Sequence, residues 1–417
     1  MRQAGLIRGH PDFRRLWVGS SISSVGSQIS GLAVPFVAAT RLHASTFTMG
    51  LLTAGQYAAF LLVGLPAGAW CERLRRRPLL IAADLGRAAA LVSVPICAQL
   101  GVLTLGQLFA VVLTMGVLTV FFEVSYQSYL PGLIGRDRLV EANGALEASR
   151  TVAYTAGPTL AGYAIQLFGG PLALIGDALS FVWSGGWIAA IRARERAPRR
   201  TERHLLREIG DGLRFVAGQP ILRTMACYTS ATTLLVSGQY TITLLFLLRT
   251  LHLSAGAIGV VDSCAGFGAI AGAFAGRRIR SRLGDMRAMT LAALIGDGFA
   301  LLIPLSQRGA GLVFFVLGSG LMSFGIVVFN ITAVSFRQTL CPDDLLSRMN
   351  ATMRFMSWGA APLGALLGGY LGTVFGLRPT LSVSAVGLLS CALLLARAWR
   401  EREPSIPSPE IPARALP

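Results

Sequence analysis

Lysine is missing from the whole chain: all 37 Lys/Arg positions among 417 residues are arginine. Charge of any kind is sparse. Asp, Glu, Lys and Arg make up 14% of the residues, whereas 53% are hydrophobic and the mean hydropathy is +0.61. Soluble domains carry about 25% charged residues. A chain this long and this apolar has too little polar surface to stay in water, so a membrane protein is expected. The missing lysine also excludes a phosphate-binding G-x-x-x-x-G-K-[ST] loop, and with it a nucleotide-driven pump of that design.

Histidine is nearly as rare. His10, His43, His204 and His252 all fall in expected loops or the N-terminal segment, and neither HExxH nor GxSxG occurs. An intramembrane enzyme would need such groups inside its spans, so no catalytic residue is assigned. The six cysteines (Cys71, Cys97, Cys227, Cys264, Cys341 and Cys391) show no CxxC and no histidine at metal spacing. They read as small packing residues, and neither a disulfide framework nor a metal site is expected.

What the chain has in abundance is long apolar runs. A bilayer crossing needs about 20 apolar residues. With Gly, Pro and Arg taken as breaks, twelve spans are expected, at 14–40, 46–71, 78–100, 104–130, 140–168, 171–193, 219–248, 254–276, 287–306, 309–336, 349–375 and 378–399. The arginines orient them. With the N-terminus inside, 30 of the 37 lie in the N-terminal segment, cytoplasmic loops, their helix ends or the tail. Arg41, Arg249, Arg308 and Arg378 fall in outer loops, and Arg87, Arg150 and Arg354 lie within spans. This is the positive-inside pattern of a cell (inner or plasma) membrane protein with both termini cytoplasmic. A formal charge of +17 also suits nucleic acid, but such domains gather basic residues on one soluble face. Here the arginines alternate with apolar runs, so the expected partners are the bilayer and a small molecule, not nucleic acid.

The longest cytoplasmic stretch, 194–217, separates a six-helix half at 1–193 from another at 218–400, with 401–417 a Pro-rich disordered tail. The halves echo one another. At an offset of 207, Glu123, Ser128, Asp137 and Asn143 align with Asn330, Ser335, Asp344 and Asn350. At 204, Arg150 and Pro158 align with Arg354 and Pro362; at 208, Gly64 and Gly68 align with Gly272 and Gly276. The expected fold is an all-α membrane protein of twelve transmembrane helices in two pseudo-symmetric six-helix halves, the layout of a rocking transporter with a central site.

Here a resemblance becomes specific. The loop GAWCERLRRR, 68–77, resembles the major facilitator superfamily signature G-x-x-x-D-R-x-G-R-R. Gly68, Arg73, Arg76 and Arg77 match, Glu72 stands for Asp, and Arg75 replaces the second Gly. AYTAGPTLAG resembles the superfamily's antiporter motif G-x-x-x-G-P-x-x-G-G through Gly157, Pro158 and Gly162, with Ala153 and Ala161 replacing two glycines. PDFRRLWVGSSISSVGSQISGLAVPF, DALSF and MRFMSWGAAPLGALLGG further resemble the branch that contains the enterobactin exporter and macrolide-efflux proteins, over about residues 10–400. The resemblance implies a secondary active transporter, no enzyme, working by alternating access as a monomer. It implies proton-coupled export of a drug, macrolide or siderophore, driven by the proton gradient without a cofactor. It also implies a cytoplasmic gate at Gly64, Gly68, Glu72, Arg73, Arg76 and Arg77. The matching loop GRRIRSRLGD lacks the acid in that place, so unequal gates are expected. An importer or a sodium- or lipid-coupled carrier on the same fold remains an alternative, and a non-transporting membrane receptor a remote one.

Each ionisable group at mid-span costs about 2.5–3.5 kcal/mol, so each should be paired or functional. Glu123 lies on helix 4, which the resemblance places on the central cavity, about 10 Å from the inner end at ~1.5 Å per residue. It is the first candidate for proton coupling, with Asp262 the second. Arg150 and Arg354 are expected to be their counter-ions or to hold an anionic substrate, a tilt toward acidic or catechol-like compounds. Asp84 and Arg87, three apart, can neutralise one another. The resemblance puts their helix, and those of Asp177 and Asp297, on the outside of the bundle, so all four are expected to be structural. Gln28, Gln56, Tyr57, Gln239, Tyr240, Asn330 and Trp358 are candidates to line the cavity.

Overall fold

The computed structural model describes residues 3–193, 195, 213–341 and 346–400. Gly68 and the side chains of Glu72 and Arg73, most of the expected central loop and the tail 401–417 lie outside the described residues. All regular structure among the described residues is helical: α1 Gln3–Gly9, α2 Pro11–Thr40, α3 Thr46–Arg73, α4 Arg76–Gln99, α5 Leu105–Ile134, α6 Leu139–Phe168 and α7 Gly170–Ala189, then α8 Pro220–Leu245, α9 Ala255–Leu283, α10 Asp285–Phe299, α11 Leu312–Leu340, α12 Leu346–Val374 and α13 Leu377–Arg400.

Local sequence sets these boundaries. Pro11 opens α2, where His10 Nδ1 accepts from the Phe13 N–H at 3.1 Å. Ser45, Thr104 and Ser254 cap α3, α5 and α9, each hydroxyl accepting from the amide three residues on at 3.1, 3.2 and 3.3 Å. Gly169, at φ +81°, reverses the chain from α6 into α7 in a single residue.

Ten helices are long and apolar enough to cross a membrane, counted among the described residues. Side chains such as Leu62, Phe274 and Leu394 are 71%, 83% and 66% exposed, a surface made for acyl chains and not for water. The chain is a multi-pass membrane protein. The two other long helices are α6 and α12, the pair carrying the aligned Arg150 and Arg354. Several expected edges shift. The α5 helix runs on to Ile134 past Pro131, and α9 continues through the arginines to Leu283. The end of α8 widens into a π-helical turn over Phe246–Thr250, and α10 tightens into a 3-10 stretch over Ala300–Leu305.

Packing follows a repeated scheme. Among the first helices, α2 packs on α6 and α7, α4 on α5 and α7, and α3 on α5. Among the later ones, α8 packs on α12 and α13, α10 on α11 and α13, and α9 on α11. Two substantial contacts cross between these sets, α6 with α9 and α3 with α12. Both are glycine seams. A Cβ on Gly162 would stand 2.4 Å from Ala255 O and 3.0 Å from Gly259 Cα. One on Gly50 would stand 2.6 Å from Ala365 O and 3.0 Å from Gly369 Cα. Only glycine permits backbones to approach this closely. Both seams lie toward the arginine-poor end, where Arg249 Nη2 also donates to Ala44 O at 2.8 Å. Toward the arginine-rich end no glycine contact of this kind joins the two sets among the described residues.

Candidate functional site

Directly inside the seams, side chains from both sets converge. Tyr240 on α8 lies within electrostatic reach of Asp262 on α9, Tyr57 on α3 and Tyr154 on α6. Tyr240 is 59% exposed although other groups enclose it, as for a residue lining a hollow, and Tyr154 is 52% exposed. Gln28 on α2 rests against Gly157, whose missing Cβ would stand 2.3 Å from Gln28 Cγ. On the other seam Trp358 of α12 packs on Phe60 of α3, ring centroids 4.9 Å apart. The hollow thus has aromatic walls and a few polar groups, the composition of a site for an organic molecule.

The arginines of the aligned helices behave alike. Arg150 lies over the Tyr154 ring and Arg354 over the Trp358 ring, each 5.5 Å from the centroid. The expected ion pairs with Glu123 and Asp262 do not form; each guanidinium reaches the aromatic face one turn along its own helix instead. Glu123 is half-buried and lies within electrostatic reach of Arg150, Arg87 and Tyr126. Asp262 lies within electrostatic reach of Tyr240 and has no cationic partner among the described residues. Gln239 does not line the hollow: it is 5% exposed, turned into the protein by the ~100° step that separates it from Tyr240. Asn330 and Gln56 are exposed on their helices.

Behind Glu123 lies a buried charge cluster. Arg87 and Asp84 on α4 form an ion pair, and Arg87 is clamped between the Phe122 and Phe181 rings, 4.4 and 4.2 Å from their centroids. Asp177 on α7, also within reach of Arg87, accepts from the Ser30 and Ser180 hydroxyls, the latter at 3.0 Å. Asp84 and Asp177 are both 0% exposed. Gly26 makes room for this contact, since a Cβ there would stand 2.7 Å from Asp177 Oδ1. Asp297, on α10, accepts from the Tyr228 hydroxyl at 2.8 Å.

At the arginine-rich end the described members of the loop motif serve helix ends. Arg77 Nε donates to Ile188 O at 3.2 Å, and its guanidinium also donates to Ala189 O, satisfying the last carbonyls of α7. Glu195 accepts from the amides of Arg76 and Arg77 at 2.7 and 3.3 Å, capping α4. Asp12 accepts from the amides of Arg192 and Ala193 at 3.1 and 3.0 Å. Sequence reasoning missed Glu195 and Asp12, which accept from amides more than a hundred residues away. It also missed Tyr154, which the i,i+4 spacing from Arg150 could have indicated. Arg280 in the second loop pairs with Asp285 at 2.5 Å. No group of three or more His, Cys, Asp or Glu among the described residues is placed to hold a metal.

A helical bundle of this packing, with charges buried at mid-helix and an aromatic hollow between two sets of helices, defines a membrane transporter of the major facilitator class. Residues 8–414 match the model of the transmembrane secretion effector family, and the chain belongs to that family, whose members are transporters and not enzymes. It is 27% identical over 398 residues to the multidrug efflux pump Tap of Mycolicibacterium fortuitum, covering 91% of this chain and 94% of Tap. It is 23% identical over 408 residues to the enterobactin exporter EntS of Salmonella typhi, covering 94% and 92%. Among solved structures, a bacterial homologue of the iron transporter ferroportin in its inward-facing state superposes with a TM-score of 0.73 at 15% identity, covering 93% of this chain and 98% of that one. The outward-facing state of such a homologue gives 0.61 at 17% identity, covering 94% and 98%.

Proposed function

We propose that this chain is a secondary active transporter that exports a medium-sized organic compound, of the drug, macrolide or siderophore kind, in exchange for protons by alternating access. One observation carries the reading: both glycine seams between the helix sets lie at one end of the hollow, and none among the described residues lies at the other. In this reading all twelve long helices span, α6 and α12 included, and residues 1–193 and 218–400 form two halves joined through 194–217. The repeated packing scheme supports those halves. The arginine asymmetry supports cytoplasmic termini, so the end without seams faces the cytoplasm, and the better superposition on an inward-facing relative agrees with an opening there.

Export rather than import is supported by the efflux named for Tap and EntS. Proton coupling is supported by Glu123, half-buried and within electrostatic reach of a cluster where two wholly buried aspartates share one arginine. Such a cluster carries a net negative charge unless a proton joins it. One proton moving inward through 100 mV yields about 2.3 kcal/mol, enough for substantial accumulation. No cofactor enters this cycle, and one chain suffices.

The test is reconstitution of the purified protein in vesicles with an imposed pH gradient, following export of candidate drugs and siderophores. Uphill flux that collapses with the gradient is expected. Flux indifferent to the gradient would remove proton coupling; flux that follows a sodium gradient would favour the sodium-coupled alternative.

A further inference from the structure

A cleft that the proposed cycle does not use opens between α10 and α13, two helices that belong to neither glycine seam. It holds about 300 Å³, the size of the smaller ligand clefts. From α10 come Met286, Arg287, Leu291 and Leu294, whose three- and four-residue spacing puts them on one face. From α13 come Ala396 and Trp399, three apart. The cleft starts at the arginine-rich end, where α10 begins at Asp285, and Leu294 lies about 13 Å along that helix at ~1.5 Å per residue. It therefore runs from the level of lipid headgroups into the level of their chains.

Its two ends differ in chemistry. The deep end is Leu294 and the exposed Leu291, an apolar wall turned to the bilayer. The shallow end is cationic: Arg287 is exposed on the cleft, Arg397 is exposed on the adjoining turn of α13, and no described lining residue is acidic. The acid of the first turn of α10, Asp285, is held by Arg280. Trp399 adds an open valence. It is 3% exposed, and its indole N–H is buried without an acceptor among the described residues. Buried donors in folded proteins are nearly always answered, so an oxygen from outside the chain completes this one. The Thr290 hydroxyl between these residues is already answered, donating to Met286 O at 2.9 Å.

We propose that this cleft binds one anionic phospholipid from the leaflet at the arginine-rich end. One acyl chain lies along Leu291 and Leu294, and the phosphate sits against the Arg287 guanidinium and accepts from the Trp399 indole. A guanidinium fork matches two phosphate oxygens at once, and an indole at headgroup depth presents its ring to the chain and its N–H to the polar layer. A basic pocket between membrane helices favours an anionic headgroup over a zwitterionic one, whose own cation cancels the attraction. A soluble phosphate brings no chain to cover the apolar wall, so the lipid is the occupant that satisfies both ends.

The site stands apart from the transport cycle and is tested by binding alone. The probe is dioleoyl phosphatidylglycerol, with dioleoyl phosphatidylcholine as the same chains under a zwitterionic headgroup. Each is added to the purified full-length protein in detergent, and bound lipid is counted by native mass spectrometry. The first phosphatidylglycerol should bind at least about tenfold more tightly than phosphatidylcholine. Arg287→Gln and Trp399→Phe should each weaken it about three- to tenfold, the second by removing one donor while keeping a ring. Ala396→Trp fills the cleft without touching either donor and should displace the lipid. Arg223→Gln, a like loss of charge at the same end of α8, should leave binding unchanged. If Ala396→Trp is not monodisperse, Trp399→Phe against Arg223→Gln decides. Equal affinity for the two lipids would overturn the proposal, as would phosphatidylglycerol binding unaltered by Trp399→Phe and Ala396→Trp, or weakened equally by Arg223→Gln. Displacement of the lipid by an equal concentration of inorganic phosphate would overturn it too, making the site one for a soluble anion. No substrate or gradient enters this measurement, so its failure leaves the transporter reading standing, and absence of flux leaves the lipid site standing.

Discussion

Gly162 and Gly259 meet backbone to backbone: a Cβ on Gly259 would stand 2.2 Å from Pro158 O and 3.0 Å from Gly162 Cα. The obstructing atoms are main chain, so no side chain can turn aside. Gly259→Val should wedge the α6–α9 seam at a cost of about 1–3 kcal/mol and hold that end ajar. The expected outcome is transport reduced at least about tenfold, with Thr159→Cys becoming reactive to a membrane-impermeant maleimide added outside. Protection of that cysteine in the valine variant would show that the seam still closes.

Arg87 neutralises Asp84 and is stacked between Phe122 and Phe181. Arg87→Met leaves buried carboxylates without their cation, so a loss of about 3–5 kcal/mol is expected. Thermal unfolding in detergent measures it. Adding Asp84→Asn should recover part of the loss, because the pair's charges then vanish together.

Glu123→Gln keeps shape and polarity but cannot carry a proton. Uphill export should stop, while exchange of substrate down its own gradient continues. Reconstituted vesicles, run with and without a pH gradient, separate the two. Undiminished pumping would assign Glu123 to packing beside Arg150.

Glu195 accepts from the first amides of α4, and Arg77 donates to the last carbonyls of α7. Glu195→Ala should therefore cost about 0.5–2 kcal/mol, the usual worth of a helix cap. Arg77→Ala should cost a comparable amount. The double variant tests whether these are two separate caps: additivity of the Tm shifts is expected, since neither side chain bonds to the other.

The membrane character was open to a sequence reader because hydropathy is a property summed over some twenty residues and survives local irregularity. The span expected at 46–71 corresponds to Thr46–Arg73, and that at 78–100 to Arg76–Gln99. The irregular ends were not legible. The π turn at 246–250 and the 3-10 stretch at 300–305 carry no composition that marks them. Among the intramembrane charges the same division holds. Pairing of Asp84 with Arg87 follows from a spacing of three, but the Phe122 and Phe181 rings come from helices that only the tertiary packing brings near. Arg150 was assigned an acidic partner by its sign alone. The competing attraction, an aromatic face one turn away, is a matter of side-chain direction, which periodicity does not report.

The clamp on Arg87 joins α4, α5 and α7 through a single guanidinium, whereas Asp297 in the later helices has one phenol hydrogen bond. The earlier helices are therefore tied three together by one buried cation, whereas the described side-chain ties of the later ones join helices in pairs, as Tyr228 to Asp297 and Ser237 to Ala361 O. Combined with the departures from α-helical winding at 246–250 and 300–305, both in the later set, this concentrates elastic compliance on one side of the molecule. Hydrogen exchange should accordingly be faster in α8 and α10 than in α4 and α7, making the front portion the anvil against which the back portion flexes.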